Sequence, residues 1–117
     1  MNAGNIVAAP IPTTRSLSPA LLRAENRQYE GTAGVSRGNR PQGFRPAFLD
    51  TGSGVVHLSR FASGQFAPIH VLDGLPAELV VRRARNGRVV AVKSSVVSGF
   101  VREERFYTRE QAAAFTV

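Results

Sequence analysis

The chain has 117 residues, 43% of them hydrophobic, with no cysteine and a formal net charge of +7. This is enough for one domain, too apolar for a wholly disordered chain, and without the thiols of a disulfide framework, a zinc ribbon or a cysteine nucleophile. The positive balance favours an anionic partner, nucleic acid or an acidic protein surface, and says nothing about fold. Fourteen of the fifteen basic residues are arginine and one is Lys93. Codon composition alone can set that ratio, but arginine's planar fork also suits phosphate and carboxylate.

The opening residues, MNAGNIVAAPIPTTR, carry no early positive charge, and their apolar run from Ile6 to Ile11 is broken by Pro10. Neither a signal peptide nor a spanning helix is expected, and the cytoplasm is the expected location. Ser18 to Gly31 reads as one short helix, with Ser18 as N-cap, Pro19 at the first helical position, Gly31 as its end, and Leu22 and Tyr29 on one face. From Gly31 to Gly43 the composition is that of a flexible linker. All seven phenylalanines lie after residue 43. The core is therefore expected to begin near Phe44, with residues 1–42 as an N-terminal arm and Gly-rich linker and residues 43–117 as a compact β-rich domain that folds alone.

Within that domain, Arg45–Asp50 and Val55–Arg60 flank the turn TGSG, and Ala67–Leu72 is a third β-like run. Pro76-Ala-Glu-Leu offers a competing helical start. Glu78–Arg85 and Arg88–Ser95 flank Asn86-Gly87, a strong hairpin signal. Val96–Val101 and Arg105–Tyr107 flank the polar turn REER, and Thr108-Arg-Glu-Gln111 fits a capping box that opens a short helix to Phe115. The expected fold class is mainly β (α+β). It is a small bent antiparallel sheet or partly open barrel of about six short strands, with a short C-terminal helix and a flexible N-terminal arm carrying one short helix.

The segment VVRRARNGRVVAVK, Val80 to Lys93, places Arg82, Arg83, Arg85 and Arg88 around one turn. With a two-residue turn at Asn86-Gly87, Arg85 faces Arg88, Arg83 faces Val90 and Arg82 faces Ala91. The apolar residues then anchor the base of a ribbon whose tip stands in water. Like charges directly opposite disfavour a ladder, and an anion between them removes that cost. Glu103 and Glu104 on the next turn are the nearby acids that can neutralise the tip. Phe106-Tyr107 between Arg105 and Arg109 offers rings beside cations, a combination that suits single-stranded nucleic acid.

Other constellations point to structure more than chemistry. Gly34-Val-Ser36-Arg-Gly38 matches the nucleophile-elbow spacing but lacks the strand and helix it needs. His57 and His70 are the only histidines. They can be strand neighbours, and Ser59, Asp50 or Asp73 can be drafted beside them, but no ligand cluster has zinc-like spacing. No P-loop or dinucleotide fingerprint is present. The expected function is a small non-catalytic basic binding or regulatory module that needs no cofactor or metal. Its partner-binding set is Arg82, Arg83, Arg85, Arg88, Lys93, Arg105 and Tyr107, and its partner is nucleic acid or an acidic protein surface. The alternative is a protein-binding inhibitor or adaptor of the kind a bacterial plasmid or prophage directs at a host complex.

Overall fold

A computed structural model describes residues 16–32, 34–35 and 43–114. Helix α1, Pro19–Gln28, starts as its sequence dictates: the Ser18 hydroxyl accepts from the Leu21 N–H, proline occupies the first turn, and Gly31 follows with φ +84°. Strands β1 (Arg45–Asp50), β2 (Val55–Leu58), β5 (Val96–Arg102) and β6 (Arg105–Thr108) form a four-stranded antiparallel sheet in the order β2-β1-β5-β6. Strands β3 (Val80–Arg83) and β4 (Val89–Val92) form a separate two-stranded ribbon. Helix α2, Arg109–Ala113, opens with the expected capping box between Thr108 and Gln111. The expected end of that helix at Phe115 lies outside the described residues, as do residues 36–42 of the expected linker. The large sheet is open, with β2 and β6 at its edges.

The register places Phe48 opposite Ser98, Pro46 opposite Phe100, and Phe100 opposite Tyr107. These side chains share one face of the pleat. That face carries the core. Phe48 and Val96 pack with Leu72, Leu75, Leu79, Val89 and Val92, and Phe44 packs with Phe100, Ala112 and Tyr107. The core also takes two residues from the N-terminal third: Leu17 is 3% exposed and Leu22 6%. Each such burial contributes about 1.5–3 kcal/mol. Helix α1 is therefore seated on the sheet, and the Leu17 carbonyl accepts the Val92 N–H at 3.3 Å.

Two segments differ from expectation. Ala67–Leu72 is not a strand; its surroundings hold only a single bridge between Arg60 and Phe66. Pro68 inside the run removes a ladder donor. The Ser59 hydroxyl organises the segment instead, accepting from the Val71 N–H and donating to the Ile69 carbonyl, both at 2.8 Å. After Pro76, Ala77–Leu79 forms a single 3₁₀ turn before β3 begins. Both sequence signals there are thus realised in succession. No helix among the described residues is long and apolar enough to cross a membrane.

Candidate functional site

The arginine segment forms the expected antiparallel hairpin, but its turn is one residue longer. Gly87 has φ +89°, while positive φ among the described non-glycine residues is confined to Glu103 and Glu104. The Gly87 N–H donates to the Ala84 carbonyl at 2.9 Å, and the Ala84 N–H donates to the Arg88 carbonyl at 2.8 Å. This is a three-residue loop, Arg85-Asn86-Gly87, with glycine in the left-handed position. The Asn86 side-chain oxygen accepts from the Arg88 N–H at 3.0 Å, the local bond that recommends asparagine for turns.

The longer loop shifts the register beside it, so that Arg83 faces Val89 and not Val90. Arg82 faces Ala91 as expected and Val80 faces Val92, with irregularities between Arg82 and Arg83 and between Val80 and Arg82. Arg85 does not stand opposite Arg88, so the expected like-charge pair is absent from the ladder. Nor does the ribbon stand on its base. Val89, immediately after the loop, is 1% exposed and Val92 is fully buried. The ribbon lies along the body through β4 and turns β3 outward, with Val81 62% exposed.

The four arginines are all exposed and differ in their partners. Arg88 Nε meets Asp73 Oδ2 at 2.6 Å, and the other Asp73 oxygen accepts the Val89 N–H at 2.9 Å. Arg83 bonds the Gly87 carbonyl at 3.0 Å. Arg82 and Arg85 form no ion pair with any described residue. The acid that moderates the tip is therefore Asp73; Glu103 lies 3.7 Å from Arg102 on the β5–β6 turn. Lys93 is exposed where β4 ends, and its N–H bonds the Leu79 carbonyl. Arg105 and Tyr107 are not brought to the tip. Arg105 faces Arg102 at the far end of β5, whereas the hairpin leads into the beginning of that strand. The Tyr107 ring stands edge-on to Phe44 at 5.4 Å and belongs to the core.

A second charged constellation was missed in the sequence. Arg109 is 4% exposed and sits at the start of α2. Its Nε lies 3.1 Å from Glu25 Oε1 and 3.0 Å from the Ser98 hydroxyl. One terminal nitrogen donates to Asn26 Oδ1 and the Gly34 carbonyl, both at 2.9 Å, and the other donates to His70 Nδ1 at 3.1 Å. The opposite ring nitrogen of His70 donates to the Gly99 carbonyl at 2.7 Å. The neutral Nε2–H tautomer is the one that satisfies both contacts. Burial, and then the Arg109 charge, lower the His70 pKa to about 3. Gly34 has to be glycine here: a Cβ would come within 2.6 Å of the Arg109 carbonyl oxygen. One signal was available, since a cation in the first turn of a helix opposes the helix dipole and needs another reason to be there.

This network ties α1 to α2, to Ser98 of β5 and to His70. Ser59 is committed to the 69–71 segment, and Asp73 to Arg88 and Val89. Asp50 caps the β1–β2 turn through Ser53, Gly52 and Ser95, and these bonds hold its carboxyl below its usual range, the Ser95 hydroxyl most. His57 faces Phe48 across β1 and β2, while the His70 ring stands 5.3 Å from Phe48. Gly34 has the packing role above, and Ser36 and Gly38 of the elbow-like spacing lie outside the described residues. No group of three His, Cys, Asp or Glu among the described residues is placed to hold a metal ion. Comparison with protein-family models, curated proteins and solved structures gives no match for this chain.

Proposed function

We propose that this chain is a non-catalytic, cytoplasmic, basic binding module whose β3–β4 hairpin docks on the phosphate backbone of nucleic acid. The observation that carries this reading is the pairing state of the tip. Arg82 and Arg85 are exposed and without an ion partner among the described residues, beside Arg83 and Arg88, on a ribbon fixed to the body by Val89 and Val92. Several exposed guanidinium groups, of which only Arg88 has an acid partner among the described residues, suit an extended anion better than a single carboxylate. The same charges keep the open edge of β3 from pairing with other strands. The test is fluorescence anisotropy with labelled oligonucleotides at several salt concentrations. Neutralising three to four phosphates gives a log-log salt slope of about −3 to −4. Failure to bind more tightly than about 100 μM at low salt removes the reading, because non-specific basic sites reach that affinity.

A second reading, a protein-binding inhibitor or adaptor, has its own observation. Among the described residues, five of the six exposed large hydrophobics, Val55, Val56, Phe61, Phe66 and Ile69, fall between residues 55 and 69. Phe66 is 50% exposed, with the guanidinium groups of Arg45 and Arg60 at 4.5 and 4.2 Å from its ring centre. Clustered exposed apolar side chains mark protein-docking surfaces. Binding through them is insensitive to salt, which separates the two readings.

A further inference from the structure

A groove of about 650 Å³ runs between α1 and the segment carrying Ile69 and Val71, and closes against Arg88 and Val89 at the foot of the hairpin loop. That volume lies in the range of ligand-holding clefts. Leu22, Ile69 and Val71 give it an aliphatic lining, and Arg23 and Arg27 on α1 line it together with Arg88 from the hairpin. Arg23 and Arg27 are four residues apart on one helix face, where like charges disfavour the helix. Both are exposed, and neither forms an ion pair with a described residue. The acid nearest to them in sequence on α1, Glu25, is spent on Arg109. Of the two acids that line the groove, Asp73 is held by Arg88 and the Val89 N–H, which leaves Glu30 at the end of the helix. The free charge along the groove is therefore positive, and it is continuous with the hairpin through Arg88.

We propose that this groove extends the hairpin surface and takes one extended strand of nucleic acid, with phosphates toward Arg23, Arg27 and Arg88 and the apolar faces of sugar and base over Leu22, Ile69 and Val71. The inference rests on the phosphate-binding reading of the hairpin and adds to it a second wall and a preference. A single strand descends into the groove. A duplex, with its backbones on the outside of a stiff rod, reaches only the hairpin. The aliphatic lining offers no aromatic ring to stack on, so the strand is held by charge and shape, with little dependence on base identity.

The experiment compares the full chain with R23A/R27A and with R82A/R83A/R85A/R88A, using a labelled single-stranded dodecamer, the same sequence as duplex, and polyglutamate. The α1 variant is expected to weaken single-strand binding about tenfold at low salt and to flatten its salt slope by about 1.4, two phosphates at about 0.7 each, with duplex binding changed less than about twofold. An α1 variant that binds the single strand as the native chain does, while the hairpin variant loses it, overturns the groove and leaves the hairpin reading intact. Equal losses on single strand and duplex overturn the strand preference. Polyglutamate binding that is lost in the α1 variant while oligonucleotide binding is retained assigns the groove to an acidic polypeptide and overturns the proposal. No oligonucleotide binding by the native chain overturns the hairpin reading and this inference with it.

Discussion

Arg109 and the hairpin arginines are the same side chain in opposite circumstances. Arg109 is almost fully buried and makes a bond with each guanidinium nitrogen, to Glu25, Ser98, Asn26, Gly34 and His70. Arg82 and Arg85 are in water, with no ion pair among the described residues. A buried charge is tolerable only when paired and fully hydrogen-bonded, so Arg109 is bound up with the fold. An exposed charge contributes little to stability whether or not it is paired. In a chain of net charge +7, burial separates the arginines that hold the structure together from those left for a partner.

The largest effect that sharpens this contrast is removal of residues 1–42. The shortened chain loses Leu17 and Leu22 from the core and leaves Arg109 without Glu25. Two buried leucines at about 1.5–3 kcal/mol each, plus an uncompensated buried cation, are comparable to the whole stability of a small domain. The truncated protein is expected to show no cooperative melt. A melt within a few degrees of the full chain would make α1 an appendage and support the division at residue 42 that the phenylalanine distribution suggests.

Glu25→Ala is the next test. Removing one partner of a buried pair costs about 3–5 kcal/mol, and the lower end applies because the Glu25 side chain is 25% exposed. Urea denaturation is expected to give a loss near 3 kcal/mol; a loss under 1 kcal/mol would show that Arg109 is adequately solvated without it.

The same network sets a pH dependence. The folded His70 pKa is about 3 against an ordinary 6.5. Between those values the unfolded chain binds a proton at His70 that the folded chain does not. Stability is therefore complete above pH 6.5 and falls on acidification below it, by up to about 1.4 kcal/mol per pH unit. Asp50 loses its contribution only below its usual 3.8, so the window from pH 6.5 to 4.5 reports on His70. Thermal melts of the native chain should decline across that window, and those of His70→Gln should be flatter; parallel profiles would contradict the assignment.

A smaller gain is expected at the β5–β6 turn, where Glu103 and Glu104 hold φ values of 53° and 66°. Both central positions of this two-residue turn are left-handed, the conformation that Asn-Gly adopts at least cost. E103N/E104G should stabilise the chain by about 1 kcal/mol in the same denaturation assay; a loss would mean that the acidic side chains do more than fill the turn.

The sequence displays what depends on neighbours in the chain. Ser18 and Pro19 begin α1, Thr108 and Gln111 box α2, and the valine runs around Asn86-Gly87 pair. It hides what depends on distant ones. The two-residue turn expected at Asn86-Gly87 occurs at Glu103-Glu104, because Arg102 and Arg105 pair directly around it while the hairpin adds Arg85 to its loop. Arg109 reaches residues 84 positions back at Glu25 and 39 back at His70, contacts that no local spacing encodes. The arginine cluster was legible as a cluster. Its outward face was not, because that face depends on Val89 and Val92 being drawn under by the rest of the core.

The most direct test of the central claim is a paired measurement on R82A/R83A/R85A/R88A: its melting temperature and its salt-dependent affinity for an oligonucleotide, beside the native chain. The four side chains are exposed and only Arg88 has an ion partner among the described residues, so the melting temperature should stay within a few degrees. On a duplex oligonucleotide, which reaches only the hairpin, the salt slope should fall from about −3 to −4 in the native chain to near zero in the variant. A large drop in melting temperature, or a salt slope unchanged from the native chain, would show that the tip belongs to the fold rather than to a partner.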